Sequence, residues 1–254
     1  MRKCIRTSAF LLIINLCAFS CLSPQSPATR REELVKLLAR QGIADAKVLA
    51  AIGKVPREVF VEESYVDRAY EDRALPIGDG QTISQPFVVA LMTQALGLKG
   101  SERVLEVGTG SGYQAAILAE IVKVVFTVEI REAFAEKARE RLASLGYKNV
   151  HVRVGDGYKG WPEYAPFDAI MVTASAGKIP QPLLDQLAEG GRLIMPVGSA
   201  THSQELTLVT RKHGRLQTSA LAEVIFVRMI GEAEGKSRSD TSSMRRYPER
   251  DGER

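Results

Sequence analysis

Cysteine is nearly missing from this chain of 254 residues. The three present, Cys4, Cys17 and Cys21, all lie in the first 21 positions, and none follows Leu22. A folded part without thiols excludes a cysteine nucleophile, a thiolate zinc site and a disulfide framework. Histidine is equally scarce: His151, His202 and His213 are scattered without metal-ligand spacing, so no metal is expected. The apolar run AFLLIINLCAF has 11 residues, too few for a comfortable membrane span. A strong charge of one sign is also missing. The net charge is +4, of which Arg2, Lys3 and Arg6 supply +3 within residues 1–29, leaving +1 for the rest. That is not the clustered basic face of a nucleic-acid binder, and no nucleic-acid partner is expected.

What is there is an ordinary folded composition, 45% hydrophobic and 25% charged. The length fits one large domain or two small ones, burying roughly 70–75% of the unfolded surface without staples. Residues 1–28 stand apart. Basic MRKCIRTS, the apolar run and small-polar SCLSPQSPAT have the three-part layout of a secretory signal. Ala18-Phe19-Ser20 permits a cut before Cys21, which could carry a lipid, although Phe19 fits poorly there. The rival reading is upstream sequence wrongly included before a start near Leu34–Val35. Membrane contact is expected only if this segment is retained or lipidated. Residues 232–254, with six basic and six acidic residues and almost no apolar ones, read as a disordered tail.

Between them the expected organisation is a single domain over 29–231, with a helical part and a functional loop at 29–100 and an α/β core at 101–231. REELVKLLARQG and DAKVLAAIGKV have helical spacing of Leu34, Leu37, Leu38 and of Val48, Leu49, Ile52. Another turn follows Pro56. EDRALPIGDGQTISQ is a polar Gly/Pro loop, and PFVVALMTQALGL a helix opened by Pro86. Strands are then expected at 103–108, 124–130, 150–156, 167–174, 192–198, 204–212 and near 223–230. Helices are expected at 111–122, 131–146 and over IPQPLLDQLAEGG. Alternation of this kind predicts a Rossmann-like, doubly wound, mainly parallel seven-stranded sheet with an antiparallel pair at one edge.

The stretch VLEVGTGSGYQ carries the most chemistry. A strand runs into Gly108-Thr109-Gly110-Ser111-Gly112 and a helix starts at once, so free N–H groups at the helix N-terminus can face an anionic group. The spacing is G-x-G-x-G, not the G-x-G-x-x-G of a dinucleotide fingerprint. Glu106 at the strand end would repel a pyrophosphate and suit an ammonium or sulfonium. Glu129 ends the next strand, where an acid accepts ribose hydroxyls. Asp156, beside Gly157, ends the third and can accept from an adenine amino group. S-adenosylmethionine has the matching layout. A nicotinamide-dependent oxidoreductase, another methyltransferase acting on RNA or a small molecule, and a non-catalytic binding module remain open on these residues alone.

With those residues in place, the chain closely resembles the protein-L-isoaspartate O-methyltransferases, a class I S-adenosylmethionine-dependent family. The likeness runs from about Arg30 to Gly231, through VPREVFV, RAYEDRALPIGDGQTISQP, VLEVGTGSGYQAAILAEI, NVHVRVGDGYKGWPEYAPFDAIMVTA and IPQPLLDQLAEGGRLIMPVG. GQTISQP is far more family-specific than the glycine loop, and in it Ser84 matches the active-site serine. Gln81, Thr82, Ile83, Gln85 and Pro86 would form the substrate loop around it. ASAGKIP departs from the family's usual alanine-proline-rich turn, which bears on substrate preference.

The resemblance implies methyl transfer to the free α-carboxylate of L-isoaspartyl residues in damaged proteins and peptides. The ester would cyclise to a succinimide and reopen partly to aspartate, a repair. A carboxylate is already ionised at pH 7, so no general base is required. Ser84 would position the carboxylate, or cap the following helix, or both. The methyl donor is made in the cytoplasm, which favours cytoplasmic function over export through residues 1–21.

Overall fold

The computed structural model describes residues 25–199 and 202–231. The signal-like segment up to Pro24 and the tail from Glu232 lie outside the described residues. Helix α1 (Pro27–Arg40) starts inside the stretch set aside as signal-like. The reason is local: Ser26 caps Thr29 N–H through its side chain, and Pro27 takes the first turn, where its missing N–H costs nothing. Asp45 caps α2 (Ala46–Lys54) by accepting from Lys47 N–H at 2.8 Å. Leu34 and Leu38 of α1 and Val48, Ala51 and Ile52 of α2 are buried on the faces their spacing predicts. Two 3-10 turns follow, Arg57–Phe60 and Glu63–Arg68.

The polar stretch expected as a loop contains a hairpin, β1 (Leu75–Gly78) against β2 (Gln81–Ile83). Asp79 and Gly80 make its tip with φ of 47° and 68°. This is the positive-φ pair that an Asp-Gly two-residue turn supplies. Helix α3 (Pro86–Leu96) comes next and stops at Gly97.

The alternating part forms β3 (Arg103–Val107), α4 (Tyr113–Ala119), β4 (Val124–Glu129), α5 (Glu132–Ser144), β5 (Val150–Val154), β6 (Phe167–Val172), α6 (Gln181–Asp185), β7 (Leu187–Val197), β8 (Gln204–Lys212) and β9 (Arg215–Val224). The sheet order is β5-β4-β3-β6-β7-β8-β9. The first five strands are parallel, while β8 runs antiparallel to both its neighbours. The expected seven-stranded, mainly parallel Rossmann-like sheet is therefore the fold. Val104 and Leu105 fall into different apolar clusters, one on each face. The first cluster joins α1 to α5; the second joins α6, the turns at 157–164 and the aromatic ring of Phe167. Strand order reverses at β3, between β4 and β6, so the crevice opens beyond the carboxyl ends of these strands.

Two boundaries differ from expectation. The helix over IPQPLLDQLAEGG is only five residues long, because β7 already starts at Leu187 to pair with Phe167. The last strand is Arg215–Val224, not 223–230. Along this edge strand residues 215–221 are exposed, so it carries no apolar signature. The apolar run after it, IFVRMI, instead crosses the crevice, held by Ser175 N–H to Val227 O and Met229 N–H to Ser175 O, both 2.8 Å.

Candidate active site

The glycine loop between β3 and α4 is a tight turn whose three glycine N–H groups all have acceptors within the chain. Gly108 N–H donates to Val128 O at 2.8 Å, Gly110 N–H to Glu129 Oε2 at 2.9 Å and Gly112 N–H to Thr109 O at 2.8 Å. The N–H groups of Gly108 and Gly110 thus hold the loop against β4, and that of Gly112 closes the turn on itself. Gly108 and Gly157 line the crevice, and their own neighbours leave no room for a side chain. A Cβ on Gly108 would meet Thr173 Oγ1 at 2.4 Å, and one on Gly157 would meet Val107 Cγ1 at 2.3 Å. Gly112 faces away, packed on Ala138 and Leu142 of α5. Thr109 and Ser111 are also internal. The Thr109 hydroxyl bonds that of Thr127 at 2.6 Å, and the Ser111 hydroxyl accepts from Tyr113 N–H at 3.3 Å.

The three strand-end acids have three different surroundings. Glu129 lines the crevice, its carboxylate held by Gly110 N–H and by Arg131 N–H at 3.0 Å. Both oxygens retain lone pairs for further donors. Asp156 caps the 157–159 turn, accepting from Tyr158 N–H at 2.9 Å, while the neighbouring Gly157 lines the crevice. Gly231 packs against the Asp156 carboxylate so closely that a Cβ there would lie 2.3 Å from Oδ1. Glu106 is wholly buried beneath the loop and does not line the crevice. Neither of its oxygens has a hydrogen-bond partner. Burial, aided by the charge of Glu129 and opposed by the Thr127 hydroxyl, pushes its carboxyl up to about 8.

Two cavities share a wall. The first, about 100 Å³, is bounded by Ile77, Gln81, Gly108, Gly110, Glu129 and Gly157, with residues 227–230 over it. The second, about 640 Å³, is bounded by Ser84, Gln85, Val88, Glu223, Ile225 and Phe226. Thr82, Thr173 and Val227 line both, so the two are adjacent across these side chains. Asp79 at the hairpin tip lies 3.6 Å from Arg131, tying the hairpin to the start of α5 across the first cavity. Of the expected substrate loop, Gln81, Thr82, Ser84 and Gln85 therefore face cavities, whereas Ile83 and Pro86 are buried with the helices.

Ser84 is not the cap of α3. Gln85 occupies that position and makes no side-chain cap bond. Asp72 does the capping from the preceding turn, accepting from Phe87 N–H at 2.8 Å and from Gln85 Nε2 at 3.1 Å. Ser84 is thus left to line the second cavity. Sequence reasoning missed Thr173, whose hydroxyl donates to Gly108 O at 2.7 Å, and the 225–230 strip. The first had a signal, its place at the carboxyl end of β6. The second was visible only as an apolar run and was taken for a strand.

A sequence profile of the family described as protein-L-isoaspartate(D-aspartate) O-methyltransferase matches residues 29–234. A Shewanella sediminis protein named protein-L-isoaspartate O-methyltransferase 2 is 53% identical over 204 residues, covering 80% of this chain and 84% of its own. A Syntrophobacter fumaroxidans protein-L-isoaspartate O-methyltransferase 1 is 54% identical, covering 80% and 94%. Among solved structures, a protein-L-isoaspartate O-methyltransferase superposes with a TM-score of 0.74 at 35% identity, over 79% of this chain and 66% of that one. A Plasmodium falciparum structure described as a protein of the same name in complex with S-adenosyl-L-homocysteine superposes at 0.70, with 28% identity, over 79% and 98%.

Proposed function

The chain belongs to the protein-L-isoaspartate O-methyltransferase family, and from that premise we propose that S-adenosylmethionine binds with its ribose in the first cavity, beside Glu129, while the second takes the L-isoaspartyl residue beside Ser84. The activity itself is that of the family: methyl transfer from S-adenosylmethionine to the free α-carboxyl of L-isoaspartyl residues, the step that starts their repair. The observation that carries the proposal is the shared wall of Thr82, Thr173 and Val227, which brings a donor in one cavity against an acceptor in the other.

The residues present suit the donor. Glu129 is fixed with acceptor capacity to spare for ribose hydroxyls, and Gly108 and Gly157 line the crevice without a side chain to obstruct it. Glu106 keeps an unpartnered carboxyl under the same loop, where a cation above would draw its proton off. When bound, S-adenosylmethionine supplies an electrophilic methyl that a carboxylate oxygen accepts directly. The protein's share is then alignment and exclusion of water, and alignment alone can supply roughly 7–11 kcal/mol. Ser84 and Gln85 hold the carboxylate; Thr82, Thr173 and the strip 225–227 close the wall around it. No side chain has to remove a proton, since the acceptor carboxyl ionises near pH 4.

We place this action in the cytoplasm, where the donor is made; fractionation with N-terminal sequencing of the mature protein tests that placement. Among the described residues no helix is long and apolar enough to cross a membrane. The function is tested with methyl-labelled S-adenosylmethionine and two peptides that differ only in an L-isoaspartyl or a normal aspartyl residue. Base-labile label in the first alone is expected. Equal labelling, or none, would refute the assignment of the second cavity.

A further inference from the structure

Arg57 is the most unusual side chain near the site. It opens the first 3-10 turn and is completely buried. Its guanidinium donates from Nε to Ala69 O at 2.8 Å and from Nη2 to Ser84 O at 2.7 Å, with Arg73 O at 3.5 Å. The Tyr113 ring lies 4.7 Å from Cζ on the first residue of α4, directly after the glycine loop. Among the described residues no carboxylate forms an ion pair with it, and Nη1 has no partner. An apolar side chain of similar volume would spare the fold the desolvation of a charge. The charge is kept behind a peptide whose two residues, Ser84 and Gln85, both line the second cavity.

We propose that Arg57 is a positioning residue for the substrate carboxylate: it fixes the Ser84–Gln85 peptide by its carbonyl and sets a permanent positive charge behind the wall that the carboxylate meets. The inference rests on the reading of the Ser84 cavity given above. The bond acts through the peptide as well as through space. A cation on the Ser84 carbonyl polarises the amide, and that strengthens the Gln85 N–H at its other end as a donor. In a buried setting the charge is weakly screened by water, and the Asp72 carboxylate that acts on it is already engaged by Phe87 N–H and Gln85 Nε2, so Arg57 favours an anion at the cavity over a neutral group of the same shape. The planar fork matters, because one side chain must reach the carbonyls of both residue 69 and residue 84.

A ligand-and-residue cycle separates this role from simple bracing. An L-isoaspartyl peptide and the same peptide with its free α-carboxyl converted to a carboxamide are titrated calorimetrically into wild type, Arg57→Met and Arg57→Lys, each saturated with S-adenosylhomocysteine. Arg57→Met should weaken the acid about 10-fold, or ~1.4 kcal/mol, while the amide changes by no more than about twofold. Arg57→Lys keeps a charge but loses the fork, and its preference for the acid should fall about threefold. A parallel loss for both peptides means bracing only and overturns the inference. Should Arg57→Met fail to fold, the Arg57→Lys titrations decide by the same comparison. Wild type that does not discriminate acid from amide, yet still methylates the isoaspartyl peptide, also overturns it and leaves the function standing. Wild type that methylates no isoaspartyl peptide removes the reading of the cavity itself.

Discussion

Replacing Glu106 by glutamine tests the electrostatics under the glycine loop without changing its shape. The carboxyl is wholly buried, both oxygens lack partners, and its folded-state value stands near 8 against an ordinary 4.5. Burial is the main cause, with the Glu129 charge adding to it and Thr127 subtracting. Between those two values the native state holds a proton that the unfolded chain has released. Stability must therefore fall as the pH rises from about 4.5 to about 8, and then level off. The full loss is on the order of 5 kcal/mol, and about 3 kcal/mol of it is reached by pH 7. Glutamine mimics the protonated form and leaves the same unpaired polar group, so Glu106→Gln should match the wild type within about 1 kcal/mol near pH 4.5. The variant should then gain on it by about 1.4 kcal/mol per pH unit up to about pH 8. Urea unfolding of both ligand-free proteins, in half-unit steps from about pH 5 to about pH 8.5, reads the difference directly. A gap that stays constant across that range would show that Glu106 is ionised throughout, and that burial does not dominate its environment.

Three other substitutions probe the site. Ser84→Ala should lower turnover on an isoaspartyl peptide by about 10-fold or more. Its affinity for S-adenosylhomocysteine should stay within about threefold; wild-type turnover would remove Ser84 from the mechanism. Glu129→Ala leaves Gly110 N–H and Arg131 N–H without their acceptor as well as removing the ribose partner. Calorimetry should show S-adenosylhomocysteine binding weakened by about 100-fold, roughly 2–3 kcal/mol, and unchanged affinity would contradict the assignment. Gly157→Ala forces a methyl to within 2.3 Å of Val107 Cγ1. Overpacking of this kind costs about 1–3 kcal/mol, which denaturant melts should register, and a variant as stable as wild type would mean that the Val107 side chain can step aside.

Much of this architecture was written locally. Helices α1, α2, α3 and α5 follow from apolar spacing and from the residues that start and stop them. The parallel strands follow from short apolar runs ending in glycine or acid. The hairpin β1–β2 was legible too, since Asp79-Gly80 is a two-residue turn signal, but the polar residues around it hid the strands. β9 was not legible: an edge strand exposed on both faces carries no burial pattern, while the more apolar strip 225–230 does its packing over the crevice. The glycine loop was legible from its composition, but not where its own N–H groups point: those of Gly108 and Gly110 turn to β4.

The chain's linear order was enough to set the fold class, the family, the methyl donor and the loop bearing Ser84, because each depends on residue types at short spacing. The environment of each acid was left to the packed molecule. Glu106, Glu129 and Asp156 end their strands alike in one dimension, yet one is sealed in, one lines the crevice and one caps a turn. Arg57, 27 residues before Ser84, meets its carbonyl only once the hairpin and α3 are docked. Burial and charge are properties of what surrounds a group, and those surroundings come from segments far apart along the chain.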